Sequence, residues 1–277
     1  METINTDPNG AINYQSILEK RGMPFQISLT TNTIILQTTT HKIIGTEKDL
    51  NFKDLSFIKK VKNHIQKQEC EREYTSNDVN YFSFNPRLNR DLFSLSVSEI
   101  DLSRAYWECA FRLKYINREI YEMGMRSDLR KELRLIALGS VASTKKHYFF
   151  DGEKYTDPDF FSDSNGKNIW FHISSKVSEI MEEIKSRIPD RAFYFYWVDA
   201  FFVRKDYTGN VSMLMERYGF GKKVVKANQI ISFVNNDKRK IWVHSHEAGK
   251  DKKPGYKRFS FIDYKKGNPD NMNNFEI

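Results

Sequence analysis

The run Phe193-Tyr194-Phe195-Tyr196-Trp197-Val198-Asp199-Ala200-Phe201-Phe202-Val203 narrows the possible folds of this chain more than any other segment. Aromatic and β-branched side chains favour strands. Asp199 alone in the run carries a charge, and an unpaired carboxylate buried among such neighbours is costly. The segment is therefore expected to be a β-hairpin with Asp199 near its turn. A second aspartate stands in a comparable place. From Leu92 to Leu102 the residues Leu92, Ser94, Ser96 and Ser98 alternate with Phe93, Leu95 and Val97, so a strand is expected to lead directly into Asp101.

Taken singly, each aspartate reads as a turn residue or a helix cap. Taken together, with a cationic helical stretch from Lys131 to Gly139 between them in sequence, they suit phosphoryl transfer, where carboxylate-held Mg²⁺ or Mn²⁺ ions neutralise charge and align the reacting oxygens.

The rest of the composition limits the alternatives. With 39% hydrophobic residues, 21 Phe and 14 Tyr, the chain is too rich in large side chains for disorder. It has no apolar run near the ~20 residues of a membrane span. Met1 to Tyr14 lacks an apolar signal core, and Cys70 and Cys109 lack metal-ligand spacing. Both features fit a reducing, cytoplasmic setting with no membrane partner. The net charge of +8 is concentrated: eleven Lys or Arg fall between Lys222 and Arg258, against Asp237, Glu247 and Asp251. Ile230, Ile231, Phe233, Ile241, Trp242 and Val243 interleave with them in strand-like runs, so a folded basic surface with a polyanionic partner is expected. His244 and His246 alternate on the same strand and read as exposed surface.

Along the chain, the first 20 or so residues read as a loose lead-in, and Gln26 to Ile44 as two strands. Leu55 to Gln68 reads as an amphipathic surface helix with Phe57, Ile58, Val61 and Ile65 inward and Lys59, Lys60, Lys62 and Lys67 outward. One helix is expected through Trp107 to Tyr121, broken at Gly124. A second runs from about Leu129 to Ala142, capped by Ser127 or Asp128. Asp151 to Gly166 reads as a surface loop, Val177 to Ile188 as a helix stopped at Pro189, and Asn210 to Tyr218 as another helix. The order gives an α+β fold with an antiparallel sheet backed by helices.

Three segments in this order resemble motifs A, B and C of family B DNA polymerases. Asp101-Leu102-Ser103-Arg104-Ala105-Tyr106-Trp107 keeps the aspartate and tyrosine of the first motif, with Arg104, Ala105 and Trp107 in place of its usual Ser, Leu and Pro. Lys131 and Gly139 keep the lysine and glycine of the second, with Leu135 and Leu138 for its asparagine and tyrosine. Trp197-Val198-Asp199-Ala200 keeps the second aspartate of the third, with Trp197 for the first. The basic strand Asp237-Lys238-Arg239-Lys240-Ile241-Trp242 is similar to the segment that grips the primer-template.

The resemblance covers about Leu92 to Val243 and implies a polymerase-like palm with a short helical-hairpin fingers element. On that scheme 1–91 is an N-terminal α/β region, 92–107 palm, 108–144 fingers, 145–250 palm, and 251–277 a basic C-terminal segment. The roughly 90 residues before the palm and about 35 after Trp242 are too few for the family's exonuclease domain and full thumb, so neither is expected. The resemblance further implies that Asp101 and Asp199 are the catalytic residues and hold two Mg²⁺ or Mn²⁺ ions. Leu102, Ser103, Arg104, Ala105, Tyr106, Arg130, Lys131 and Arg134 would bind the dNTP, Tyr106 excluding a ribose 2′-hydroxyl. Lys238, Arg239, Lys240 and Trp242 would contact DNA, either a primer-template or a single strand, alongside a further replication subunit. The competing expectation is a catalytically inactive palm that binds nucleic acid or scaffolds a replication complex. A third is an unrelated basic interaction protein.

Overall fold

The computed structural model describes residues 1–30, 33–46, 52–85, 93–95, 97–225, 227–235, 238–245 and 255–262, with the backbone alone described beyond Lys222. In chain order the elements are β1 (Glu2–Thr6), α1 (Pro8–Lys20), β2 (Phe25–Thr30), β3 (Thr33–Gln37), β4 (His41–Thr46), α2 (Phe52–Ile65), β5 (Phe82–Phe84), β6 (Phe93–Leu95) and β7 (Val97–Ser103). There follow α3 (Ala105–Arg112), α4 (Arg118–Met125), α5 (Glu132–Val141), β8 (Thr144–Phe150), β9 (Asp159–Ser162) and α6 (Ser164–Ser186). The last elements are β10 (Phe193–Trp197), β11 (Ala200–Arg204), α7 (Thr208–Arg217), β12 (Gly221–Val225), β13 (Ala227–Asn235), β14 (Lys238–Ser245) and β15 (Gly255–Ile262). The fold is mixed α and β, and of the described strand pairs only β1 with β4 is parallel.

Contacts divide the chain into two units, Met1–Glu73 with Tyr115–Trp170 and Tyr74–Lys114 with Phe171–Ile277. The first holds a six-stranded sheet in the order β1-β4-β3-β2-β8-β9. Its core gathers Ala11 and Leu18 of α1 with Phe25, Ile27, Leu36, Ile43 and Phe150 of the sheet. Burying side chains of this size stabilises by about 1.5–3 kcal/mol each. Gly45 sets how closely helix and sheet approach, since a Cβ there would lie 2.6 Å from that of Ala11. The second unit holds a five-stranded sheet, β12-β7-β11-β10-β5, and a four-stranded sheet, β15-β14-β13-β6.

Several boundaries differ from the sequence reading for local reasons. The N-terminal lead-in is β1 and α1: Asp7 accepts from Gly10 N at 2.6 Å and Pro8 opens the helix, so Asp-Pro-Asn-Gly is a cap rather than a free turn. The two strands expected over Gln26 to Ile44 are parts of three, because Thr38 folds the chain back by accepting from His41 N at 2.9 Å through its hydroxyl. The single helix expected through Tyr121 ends at Arg112, where Lys114 takes φ 63°. Asn117 then caps α4 by accepting from Ile120 N at 2.9 Å, and Gly124 lies inside that helix.

The loop expected over Asp151 to Gly166 contains β9, and α6 begins at Ser164 with Asp163 accepting from Gly166 N at 2.9 Å. The strand expected over Leu92 to Leu102 is two, β6 and β7, which enter different sheets. The division also falls elsewhere than after residue 91. Because β8 pairs with β2 from Phe25↔Phe150 to Leu29↔Lys146, the stretch after the helices returns to the first unit.

Candidate active site

In the second unit, β7 is the strand between β12 and β11. Its alternation puts Val97, Glu99, Asp101 and Ser103 on one sheet face and Ser98, Ile100 and Leu102 on the other. The second face is apolar core: Ile100, Leu102, Tyr196 and Phe201 are all fully buried. Tyr196 Oη donates to Glu182 Oε1 of α6 at 2.6 Å, and Thr208 Oγ1 at the start of α7 donates to Ser98 Oγ at 2.7 Å.

The first face carries the acids. Ala200 is the register partner of Asp101, and Leu102 N donates to the carbonyl of Asp199 at 2.9 Å, so Asp199, in the turn that opens β11, stands beside the part of β7 that carries Asp101. Phe202 is opposite Glu99 on the same face. Phe195 stacks on Phe202 with centroids 4.2 Å apart, and Trp197 stacks on Phe82 at 5.7 Å. The acids thus stand beside an aromatic floor.

The two backbone elbows that present the aspartates depart from ordinary conformations. Val198, the first residue of the two-residue turn between β10 and β11, has φ 57°, and Arg104, between β7 and α3, has φ 64°. A β-branched residue in that region is an outlier, with a cost on the order of 1–3 kcal/mol. Val198 N donates to Tyr81 O at 2.6 Å, which holds the turn from the side of β5. Arg104 takes the capping position of α3 without a capping bond from its own side chain, so the chain passes from Asp101 through a tight bend into a helix start. Such a start presents backbone N–H groups to anions.

Electrostatics mark the same place. Burial first and then the charge of Asp101 push the Asp199 carboxyl up to about 7, opposed by a hydrogen bond from its own backbone N–H, with the charge of Glu99 as the smallest contribution. Burial and then the charge of Asp199 push the Tyr106 hydroxyl well above its usual range, and Tyr106 is itself 8% exposed. Glu99, 5% exposed, was not singled out from sequence. Its signal was the alternation that places it two residues before Asp101 on one face.

The structure thus brings together Asp101, Asp199 and Tyr106, with the backbone of Leu102, Ser103, Arg104 and Ala105 forming the bend between them. Leu102 and Ala105 are each 1% exposed, so their side chains belong to the core. Arg130, Lys131 and Arg134 belong to the other unit. There the Arg130 guanidinium pairs with buried Asp54 at 2.5 Å, and Arg134 Nη1 donates to the carbonyl of Gly124 at 2.6 Å. Lys131 stands at the capping position of α5 rather than within the helix. The segment of Lys238, Arg239, Lys240 and Trp242 is β14, paired with both β13 and β15. The side chains of these four, and His246, lie outside the described residues.

Among the described residues no group of three or more His, Cys, Asp and Glu is arranged as a metal cage. Mg²⁺ characteristically takes one or two carboxylates and fills its shell with water and phosphate oxygens, and Asp101 with Asp199 is a donor set of that kind. Among the described residues no helix is long and apolar enough to cross a membrane. Fold and site together define a mixed α/β protein with mainly antiparallel sheets and an acidic pair on its five-stranded sheet. No family model, curated protein or solved structure matches the chain.

Proposed function

We propose that this chain is a polymerase-type nucleotidyltransferase that adds dNTPs to a DNA strand during replication. The observation that carries the reading is the placement of Asp101 and Asp199 side by side on β7 and the turn after β10, close enough for one to raise the pKa of the other. Two like charges held together and partly desolvated are destabilising on their own. A bound cation offsets that repulsion, which gives the arrangement a reason to exist.

When bound, Mg²⁺ or Mn²⁺ ions would supply charge neutralisation at the transferring phosphoryl group. Asp101 and Asp199 would hold them, Asp199 after losing its proton. The bend from Leu102 to Ala105 and the start of α3 would receive the triphosphate. Tyr106, buried beside Asp199, would form the wall under the sugar. The β14 residues Lys238, Arg239, Lys240 and Trp242, in the same unit as the acidic pair, would contact DNA.

The test is incorporation of labelled dNTPs on primed templates with Mg²⁺ or Mn²⁺. The parent should extend the primer, while purified, folded Asp101→Asn and Asp199→Asn variants should give no product. Parent-level incorporation by either variant would overturn the assignment. A parent inactive on every template would leave the inactive nucleic-acid-binding palm as the better reading.

A further inference from the structure

The first unit contains a cleft unrelated to the acidic pair. It is about 420 Å³ and lies between α2 and the start of α4, where Lys59, Lys60, Asn63, His64 and Lys67 face Glu119. The inward face of α2 is apolar, with Phe57, Val61 and Ile65 at 4% exposure or less, so the lysines are carried on the solvent side by the same periodicity that builds the core.

Lys60 Nζ pairs with Glu119 Oε1 at 2.6 Å. Among the described residues no carboxylate pairs with Lys59 or Lys67. Burial and then the nearby charge of Lys145 hold the Lys62 ammonium below its usual value, against the opposing charge of Asp163, so Lys145 adds a further cation beside α2. Glu119 is the one acid lining the cleft and it is already engaged.

We propose that this cleft holds the sugar-phosphate backbone of a single-stranded nucleic acid. The lining supplies cations and amide donors and, besides the His64 imidazole, no ring, so it suits contact with phosphates more than with bases, and binding there would depend little on sequence. Lys59 and Asn63 lie one four-residue step apart on α2, about 6 Å along the helix axis, and Lys67 follows in the turn after the helix, so the three offer a row of donor groups to successive phosphates of an extended strand. A cleft of this volume admits a single strand and not the body of a duplex. The choice of nucleic acid over another polyanion rests on the polymerase-type reading, whereas the cleft and its charge do not.

The experiment is fluorescence anisotropy of the full chain with a labelled oligo-dT at several salt concentrations in EDTA, with duplex DNA of equal length as competitor. EDTA removes any contribution from metal at the acidic pair. Lys59→Ala with Lys67→Ala should weaken binding roughly tenfold or more at low salt and reduce the log-log salt slope by about 1.4, the release expected for two phosphate contacts on a single strand. Glu119→Gln should act in the opposite direction, tightening binding by releasing Lys60. Melting curves confirm that both variants are folded, as expected for exposed residues.

A double variant that binds like the parent, a Glu119→Gln variant that binds no tighter, or a duplex that competes better than oligo-dT would each overturn the proposal. The two readings fail separately. A parent that binds through this cleft but never extends a primer refutes the polymerase assignment alone, and one that extends primers with the double variant binding normally refutes the cleft alone.

Discussion

Asp199 concentrates the tension between stability and activity in a single side chain. Burial and Asp101 raise its carboxyl to about 7, so the folded protein holds this proton more tightly than the unfolded chain does. The resulting stabilisation is fully present below the unfolded value of about 4 and is lost as the pH rises through 7. Asp199→Asn removes the titration. Its melting temperature should match that of the parent near pH 4 and exceed it above pH 7, by an amount equivalent to something on the order of 2 kcal/mol after allowance for partial exposure. Added Mg²⁺ at pH 8 should raise the melting temperature of the parent and leave that of the variant unchanged. Identical melting profiles across pH would mean that Asp199 is not held in a strained, protonated state. The raised value depends on Glu99 as well as Asp101, and neither neighbour is adjacent to Asp199 in sequence.

At the level of elements, the junction between α7 and β12 shows how one substitution acts oppositely at two sites a few residues apart. Gly219 has φ 75°, and a Cβ there would come within 2.8 Å of Arg112 Nη2. Arg112 donates from Nη1 to Tyr218 O at 2.7 Å and from Nη2 to Gly219 O at 3.1 Å, with its guanidinium 4.3 Å from the Phe220 ring centroid. This clamp fixes the end of α7 and so the start of β12, the strand whose register sets Lys223 opposite Asp101. Gly219→Ala should therefore destabilise by about 2 kcal/mol through backbone strain and displacement of the clamp. Gly209, in the first turn of α7, has nothing within 4 Å of a built Cβ, so Gly209→Ala should stabilise by up to about 0.5 kcal/mol. Urea unfolding of both variants measures the contrast. Equal effects would mean that the clamp does not constrain the junction.

Across the whole molecule, the chain leaves the first unit after Glu73 and returns to it at Tyr115, so each unit is built from separated stretches. Native-state hydrogen exchange should show the amides of β2 and β8 opening together as one cooperative group, although more than a hundred residues separate them in sequence. Independent protection of β8 would contradict the paired sheet.

That discontinuity divides what was legible in the residues from what was not. The hairpin of β10 and β11, the inward face of α2 and the course of α7 follow from side-chain periodicity, because local burial patterns are written at period 2 or 3.6. The candidacy of Asp101 and Asp199 was legible too, as carboxylates at the ends of strand-forming runs. Their adjacency, the contribution of Glu99, the ion pair that holds Arg130 on Asp54 and the cleft between α2 and α4 were decided by tertiary structure. Each depends on which strand or helix lies beside which, and hydrogen-bond register and packing between distant segments leave no periodic mark in the sequence of either partner.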